Sequence, residues 1–361
     1  MITIEATEKV NKKEWNDLVC SVPEGTVFQT AYWADYLSGS GYGRPFFFMA
    51  KEDGQCKGIL LLWIERLTAR TRPDNKILAC GEILSKGLRL AYGTWMYGPI
   101  VFDKSRGAEI NDLFLREIDD FARKERLVFA RSLGEPVFYN LQQPSYGGPD
   151  CYAGHGFDSK VKGTLFIDLS KDIDNLWMGL KKYTRKDVKN CDKYNLEVGF
   201  LEEGRLGEYH HLVEENMGRV GAETPPHFPD KHMWNALNGG SRRCLEVMTV
   251  KKDGMMIGAV GILEFNGVIF QMGSCQSDDS YYKKINVNDL MTWEIIKLGV
   301  TNKNRFYDLS GIPVEPANKK EEGLLNFKMK WSGSRIGFNS YEKTYRHITK
   351  SALNIVRRLI A

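Results

Sequence analysis

The sequence is poor in the features that mark the commonest chemistries. Its seven cysteines, Cys20, Cys56, Cys80, Cys151, Cys191, Cys244 and Cys275, are odd in number, scattered, and form no C-x-x-C pair. That pattern excludes a disulfide framework or a zinc ribbon and fits reduced thiols in a cytoplasmic setting. The longest apolar run, Ile59 to Ile64, falls far short of the roughly 20 residues that cross a bilayer. The start Met1-Ile2-Thr3-Ile4-Glu5 has neither the basic residues nor the apolar stretch of a signal peptide, so a cytoplasmic location is expected. Lys and Arg exceed Asp and Glu by only 50 to 46, a net +4 that gives no reason to expect a DNA partner.

Catalytic signatures are missing too. The histidines, His155, His210, His211, His227, His232 and His347, show no H-E-x-x-H or similar ligand spacing, and no G-x-S-x-G elbow occurs. Gly39-Ser40-Gly41-Tyr42-Gly43 lies between a helical segment and a strand, the reverse of the order in which glycine loops cradle phosphate. Neither a metal nor a bound cofactor is expected.

What the sequence does contain is a repeat. Asp53-Gly54 follows the apolar run Phe46-Phe47-Phe48-Met49, and Asp253-Gly254, 200 residues later, follows Leu245-Glu246-Val247-Met248. Asp-Gly is a hairpin signal, because glycine accepts the positive φ of a tight turn. Each hairpin has a tryptophan segment before it, around Trp33 and Trp234. Each is followed by a strand (Ala91 to Val101; Val268 to Cys275), a helix (Ala108 to Lys124; Asn288 to Leu298) and another strand (Leu127 to Arg131; Arg305 to Leu309). The fold class is α/β (α+β), as two duplicated units with mixed sheets flanked by helices. The turn cluster Gly147-Gly148-Pro149-Asp150 places the division, giving 1–150 and 151–339, with a C-terminal helix within 340–361 completing the first domain. Ile348, Ala352, Ile355, Val356 and Leu359 form that helix's apolar face, which packs on the protein itself or rests on a membrane surface.

These units resemble the FemABX family of tandem acetyltransferase-like (GNAT-like) proteins. The likeness is carried by Phe28-Gln29-Thr30-Ala31-Tyr32-Trp33-Ala34, by Tyr97-Gly98-Pro99-Ile100 with Asp103, and by Thr164 to Ser170 followed by Leu176-Trp177 and Lys182-x-x-Arg185. Near the end, Tyr307-Asp308-Leu309-Ser310-Gly311 and Gly323-Leu324-Leu325-Asn326-Phe327-Lys328 continue it. Departures are Tyr97 for an arginine, Ser310-Gly311 for paired glycines, and Asp35-Tyr36-Leu37 where the family often has a lysine; the long heptad arm of some members is absent. Acetyltransferases hold the pyrophosphate of acyl-coenzyme A with a Gln/Arg-x-x-Gly-x-Gly/Ala turn. Here Gln276-Ser277-Asp278-Asp279-Ser280-Tyr281 stands in its place, acidic and without glycine, and Arg106-Gly107-Ala108 is a fragment with the wrong spacing.

The resemblance implies transfer of an amino acid from aminoacyl-tRNA to the amine of a nucleotide- or lipid-linked cell-wall precursor, with peripheral contact at the inner membrane face. It implies a cationic role for Lys328 at an acceptor phosphate or a developing oxyanion, and acceptor-phosphate contacts from Arg185, Lys182 and Lys189 on one helix, Asn175 to Tyr194. Trp33, Tyr36 and Tyr97 are the substrate-binding candidates of the first unit. By residue type, Asp103 is a candidate general base or a turn residue, Asp308 a candidate site acid or loop anchor, and Tyr281 a stacking or packing residue. A thioester-dependent acyltransferase and a non-catalytic binding protein are the rival readings.

Overall fold

The two Asp-Gly turns, 200 residues apart, adopt the same backbone. In a computed structural model, φ is 50° and 76° at Asp53-Gly54 and 51° and 79° at Asp253-Gly254. Positive φ at both central residues is the type I′ turn, whose twist matches that of the strands it joins. The structure describes residues 1–66, 90–134, 148–220, 229–239, 243–277, 279 and 282–352. The chain divides into a first unit, Met1–Val161 with Phe338–Ala361, and a second, Lys162–Gly337.

The first unit opens with β1 (Thr3–Thr7), α1 (Lys12–Cys20) and α2 (Ala31–Gly39), the last capped by the Thr30 hydroxyl and carrying Trp33. The hairpin β2 (Arg44–Glu52) and β3 (Gln55–Arg66) follows, then β4 (Ala91–Trp95), β5 (Ile100–Val101), α3 (Gly107–Lys124), β6 (Phe129–Ser132) and α4 (Gly148–Gly154). The sheet runs β1-β2-β3-β4-β6, with β5 on β3. Strands β4 and β6 are parallel, as their crossover through α3 requires. Ile110, Phe114, Leu115, Ile118 and Phe121 recur at helical spacing along α3 and are buried, with Phe121 edge-on to Phe46 at 4.7 Å.

In the second unit β7 (Asp158–Asp168), which begins before the division, precedes α5 (Ile173–Gly179), α6 (Lys182–Asn190), β8 (Glu197–Phe200), α7 (Leu206–Val220) and α8 (Lys231–Asn238), which carries Trp234. The second hairpin is β9 (Leu245–Lys252) and β10 (Met255–Phe265); β11 (Val268–Gln276), α9 (Val287–Thr301), β12 (Phe306–Ile312), α10 (Lys319–Met329) and β13 (Ser334–Thr344) complete the chain order. The sheet order is β7-β12-β11-β10-β9-β8. Its core gathers Leu165, Ile167, Ile269, Ile295, Ile296 and Tyr307.

Three expectations are corrected. The helix from Asn175 to Tyr194 is two helices and a 3-10 turn, because Leu180 and Lys181 are extended, with ψ of 147° and 148°. Leu180 is buried at the break, so turning its side chain inward interrupts the helix. The stretch 340–361 begins as strand, since β13 runs to Thr344 and pairs with β6, with Tyr341 stacked on Tyr152 at 3.8 Å. Residues 347–352 are helical, Ile348 is exposed, and 353–361, with Ile355, Val356 and Leu359, lie outside the described residues. Gly148-Pro149-Asp150 opens α4 rather than forming a turn; proline is suited to a helix's first turn, where its missing N–H goes unneeded.

Candidate active site

The parallel pair at the centre of the second unit separates. Strand β11 stays paired with β10 as far as Gln276, but its pairing with β12 covers only Val268 to Phe270 opposite Phe306 to Asp308. The cause is a bulge on each side. Gly261 faces Gly273 while Ile262 faces Gln271, so Met272 is an extra residue in β11. Asp308 faces Phe166 while Gly311 faces Thr164, so β12 also gains one residue. Bulges bend a strand and increase its twist. Two of them, on neighbouring strands just beyond the last shared pair, open a gap. Met272, Gly273, Ser274 and Ser310 line it half-exposed, and Gly311 is exposed.

The mouth of this gap is tightly held. Ser310 has φ 62°, its backbone N–H donates to Asp308 Oδ1 at 2.8 Å, and its hydroxyl donates to the Gln271 carbonyl. Asp308, 1% exposed, also accepts from the Thr164 hydroxyl at 2.5 Å. The Tyr307 hydroxyl donates to Gln271 Oε1 at 2.5 Å, leaving the Gln271 amide nitrogen with no partner among the described residues.

Lys328 reaches this point from the last turn of α10 and is itself buried. Its Nζ donates to the carbonyls of Leu309 at 2.7 Å, Ser310 at 3.2 Å and Gly311 at 2.8 Å. An ammonium has three N–H donors, so all three are spent on consecutive carbonyls of the bulge. Burial pulls its pKa down to about 8, against the opposing pull of the Asp308 carboxylate. Lys328 and Asp308 thus come together, as anchors of the β12 bulge.

The other candidates lie apart from this gap. Arg185 Nη1 donates to the carbonyls of Leu180 at 2.6 Å, Met178 at 2.9 Å and Trp177 at 3.4 Å, capping the end of α5. Lys182 and Lys189 are exposed on α6. In the first unit Trp33, Tyr36 and Tyr97 are 1%, 0% and 5% exposed and offer little surface to a solute. Trp33 packs edge-on against Phe28 at 4.8 Å and against Tyr36 at 5.0 Å. Asp103, after β5, accepts from the Ser105 hydroxyl at 2.6 Å; that bond holds its carboxyl below the usual range, which suits a fixed turn better than a general base. Tyr281 lies outside the described residues.

Sequence reasoning missed Gln271, which lies in no motif, and gave Thr164, inside the Thr164 to Ser170 stretch, no role of its own. It also missed the Asn266-Gly267 turn between β10 and β11, with φ of 50° and 78°, although Asn-Gly is among the strongest short hairpin signals. Beyond the gap, Gln276 ends β11, its carbonyl accepting from Asn216 at 3.0 Å and its Oε1 from Asn288 at 3.2 Å. The first turn of α9 holds buried Asp289, paired with Lys330 at 2.5 Å. A helix start normally welcomes anions; here the first turn already carries a carboxylate, which Lys330 holds. Among the described residues no group of His, Cys, Asp and Glu is placed to hold a metal, and no helix is long and apolar enough to cross a membrane.

No family model matches the sequence, and no curated protein does. Solved structures do resemble it. A structure of FemX aligns at TM-score 0.71 and 14% identity, over 96% of this chain and 99% of that one. The lysyl-phosphatidylglycerol synthase L-PGS of Bacillus licheniformis aligns at 0.57 and 13%, over 96% of each chain. A tandem GNAT protein from the clavulanic acid biosynthesis pathway aligns at 0.54 and 11%, over 95% of this chain and 98% of that one. The chain has the FemX-like fold: two tandem GNAT-like units.

Proposed function

We propose that the protein is an acyltransferase that moves an aminoacyl group from aminoacyl-tRNA to the amine of a nucleotide- or lipid-linked envelope precursor. The observation that carries this reading is the gap between β11 and β12, which exposes strand edges beside an acidic turn unsuited to a pyrophosphate. The likeness to FemX over nearly the whole length of both chains supports it.

In this reaction the amine nitrogen attacks the ester carbonyl, a C–N bond forms, the ester C–O bond breaks, and the ribose oxygen leaves with the proton. The ester is already activated, so the step needs neither ATP nor a metal. What the chain supplies is proximity and polar groups fixed in advance. The strand edge of Met272 to Ser274 offers backbone groups to an extended substrate, and the Gln271 amide offers a donor. Lys328 acts through the bulge, holding three carbonyls so that the opposite edge of β12 stays in place.

The test is a transfer assay on the purified chain with mixed labelled aminoacyl-tRNA and muramyl-peptide precursors, beside calorimetry with acetyl-coenzyme A. The expected result is label in the precursor and no heat from the coenzyme. Binding of acetyl-coenzyme A in the micromolar range, which corresponds to about 8 kcal/mol, with transfer of its acetyl group, would replace this reading with the thioester one.

A further inference from the structure

Between Lys181 and Tyr194 the chain carries six cations, Lys181, Lys182, Arg185, Lys186, Lys189 and Lys193, against two acids, Asp187 and Asp192. Among the described residues none of the six is ion-paired. Their contacts are an amide oxygen for Lys193, the rings of Tyr183 and Trp177 for Lys181 and Lys189, and backbone carbonyls for Arg185. Some exposed cations elsewhere sit on carboxylates, as Lys12 does on Asp35 and Arg205 on Glu208, and others, such as Lys171 and Lys303, stand singly; what sets this stretch apart is six cations within fourteen residues. Like charges at helical spacing repel one another, so a row left unneutralised is a surface short of a polyanion.

The geometry narrows the class. Thr184 and Val188 turn the buried face of α6 inward, and Lys182, Lys186 and Lys189 stand on the opposite side, with Lys193 just beyond. At 1.5 Å per residue the row from 182 to 193 is about 16 Å long. A single phosphate on a small acceptor engages one end of such a row; a nucleic-acid strand, with a charge every few ångströms, engages all of it. A bilayer requires an apolar face between the cations. Here the exposed apolar groups are Met178 and Tyr183, 68% and 50% exposed, at one end of the row. An exposed tyrosine ring is a platform for an unpaired base.

Position fits as well. The row's own helix packs on the start of α9: the Cys191 thiol lies 3.5 Å from the Asn286 carbonyl, and the Thr184 hydroxyl 3.4 Å from that of Lys330. Asn288, on the same start, holds Gln276 at the end of β11. The helix that bears the row is therefore seated, by its opposite face, on the start of the helix that holds the end of β11. Arg185, its Nη1 committed to the end of α5, fixes the break that sets the row's direction.

We infer that the solvent face of α6 binds the phosphate backbone of an RNA strand, with Tyr183 receiving an unpaired base. The inference rests on the proposed reading only in taking that RNA to be the aminoacyl donor. The test uses the full chain and deacylated bulk tRNA, by fluorescence anisotropy across salt concentrations. The triple variant Lys182→Glu/Lys186→Glu/Lys189→Glu changes only exposed side chains, and its thermal melt checks the fold. The wild type is expected to bind with strong salt dependence, and the variant at least tenfold more weakly, with a salt slope smaller by about 2 for three lost phosphate contacts. Unchanged tRNA affinity in the folded variant overturns the inference, and so does wild-type binding to phosphatidylglycerol vesicles with none to tRNA. Deacylated tRNA cannot donate, so this result is independent of transfer. If the variant still transfers from aminoacyl-tRNA with unchanged KM, the row is excluded while the proposed function stands.

Discussion

The two units build the same parallel pair, β4 with β6 and β11 with β12, and finish it in opposite ways. In the first, pairing continues beyond the strands, the Leu133 N–H donating to the Trp95 carbonyl at 2.9 Å. Tyr97, with φ 55°, turns its ring inward, where it packs so closely on Gly134 that a Cβ there would lie 2.5 Å from the ring. Gln29 holds the Tyr97 carbonyl at 2.7 Å. In the second unit, among the described residues, no side chain of this size stands at the matching place: Met272, Gly273 and Ser274 pass the gap half-exposed, and the bulge at Ser310 is held from behind by Lys328. A duplicated fold thus supplies two openings, and one residue's conformation decides which is filled.

The strongest way to break this comparison is at the anchor of the open copy. Lys328→Ala strips the buried Leu309 carbonyl and two more accessible neighbours of their donor; an unsatisfied buried group costs about 1–3 kcal/mol, so a loss in that range is expected in urea unfolding, with loss of transfer. The pH dependence sharpens the point. The pKa of Lys328 falls from 10.5 to about 8 on folding, so the unfolded chain binds more protons between those values and this residue's contribution to stability grows as pH rises through that window. Comparing wild type with Lys328→Met at pH 7.5 and 9.5, the gap in stability should widen in favour of wild type; a constant gap means that Lys328 is not shifted. The closed copy is tested by Gly134→Ala. Its methyl would collide with the Tyr97 ring, and φ is 132°, so destabilisation of roughly 1–3 kcal/mol is expected without loss of turnover per folded molecule. Smallest of all is Asp103→Asn. Removing a general base typically costs about a hundredfold or more, whereas loss of a turn carboxylate should leave kcat within about threefold.

The repeated architecture was legible because it rests on local signals. Asp53-Gly54 and Asp253-Gly254 set the hairpins, and the apolar spacing of Ile110, Phe114 and Ile118 sets a crossover helix. The break in the basic helix was not, because it depends on where Leu180 finds its burial. The gap was harder still. Lys328 and Asp308 stood out by residue type, but what they bind is the backbone at Leu309, Ser310 and Gly311, and a bulge exists only in the register between strands. A lysine that serves carbonyls and one that serves a substrate read alike in one dimension. Tyr97 likewise reads as a ligand-binding aromatic until its positive φ turns it inward.

The open copy can be closed as the first one is. A Cβ added at Gly311 meets nothing within 4 Å, so Gly311→Ala is a mild control for Gly311→Tyr, whose thermal melt checks that the larger side chain leaves the fold intact. The decisive measurement is single-turnover transfer of label from aminoacyl-tRNA to an amine-bearing precursor by wild type and both variants, each shown to be folded. If acyl transfer occurs between β11 and β12, wild type and Gly311→Ala transfer label while Gly311→Tyr loses at least about a hundredfold, the scale of a removed transition-state contact. Transfer by Gly311→Tyr at the wild-type rate would contradict the account and move the chemistry away from this gap.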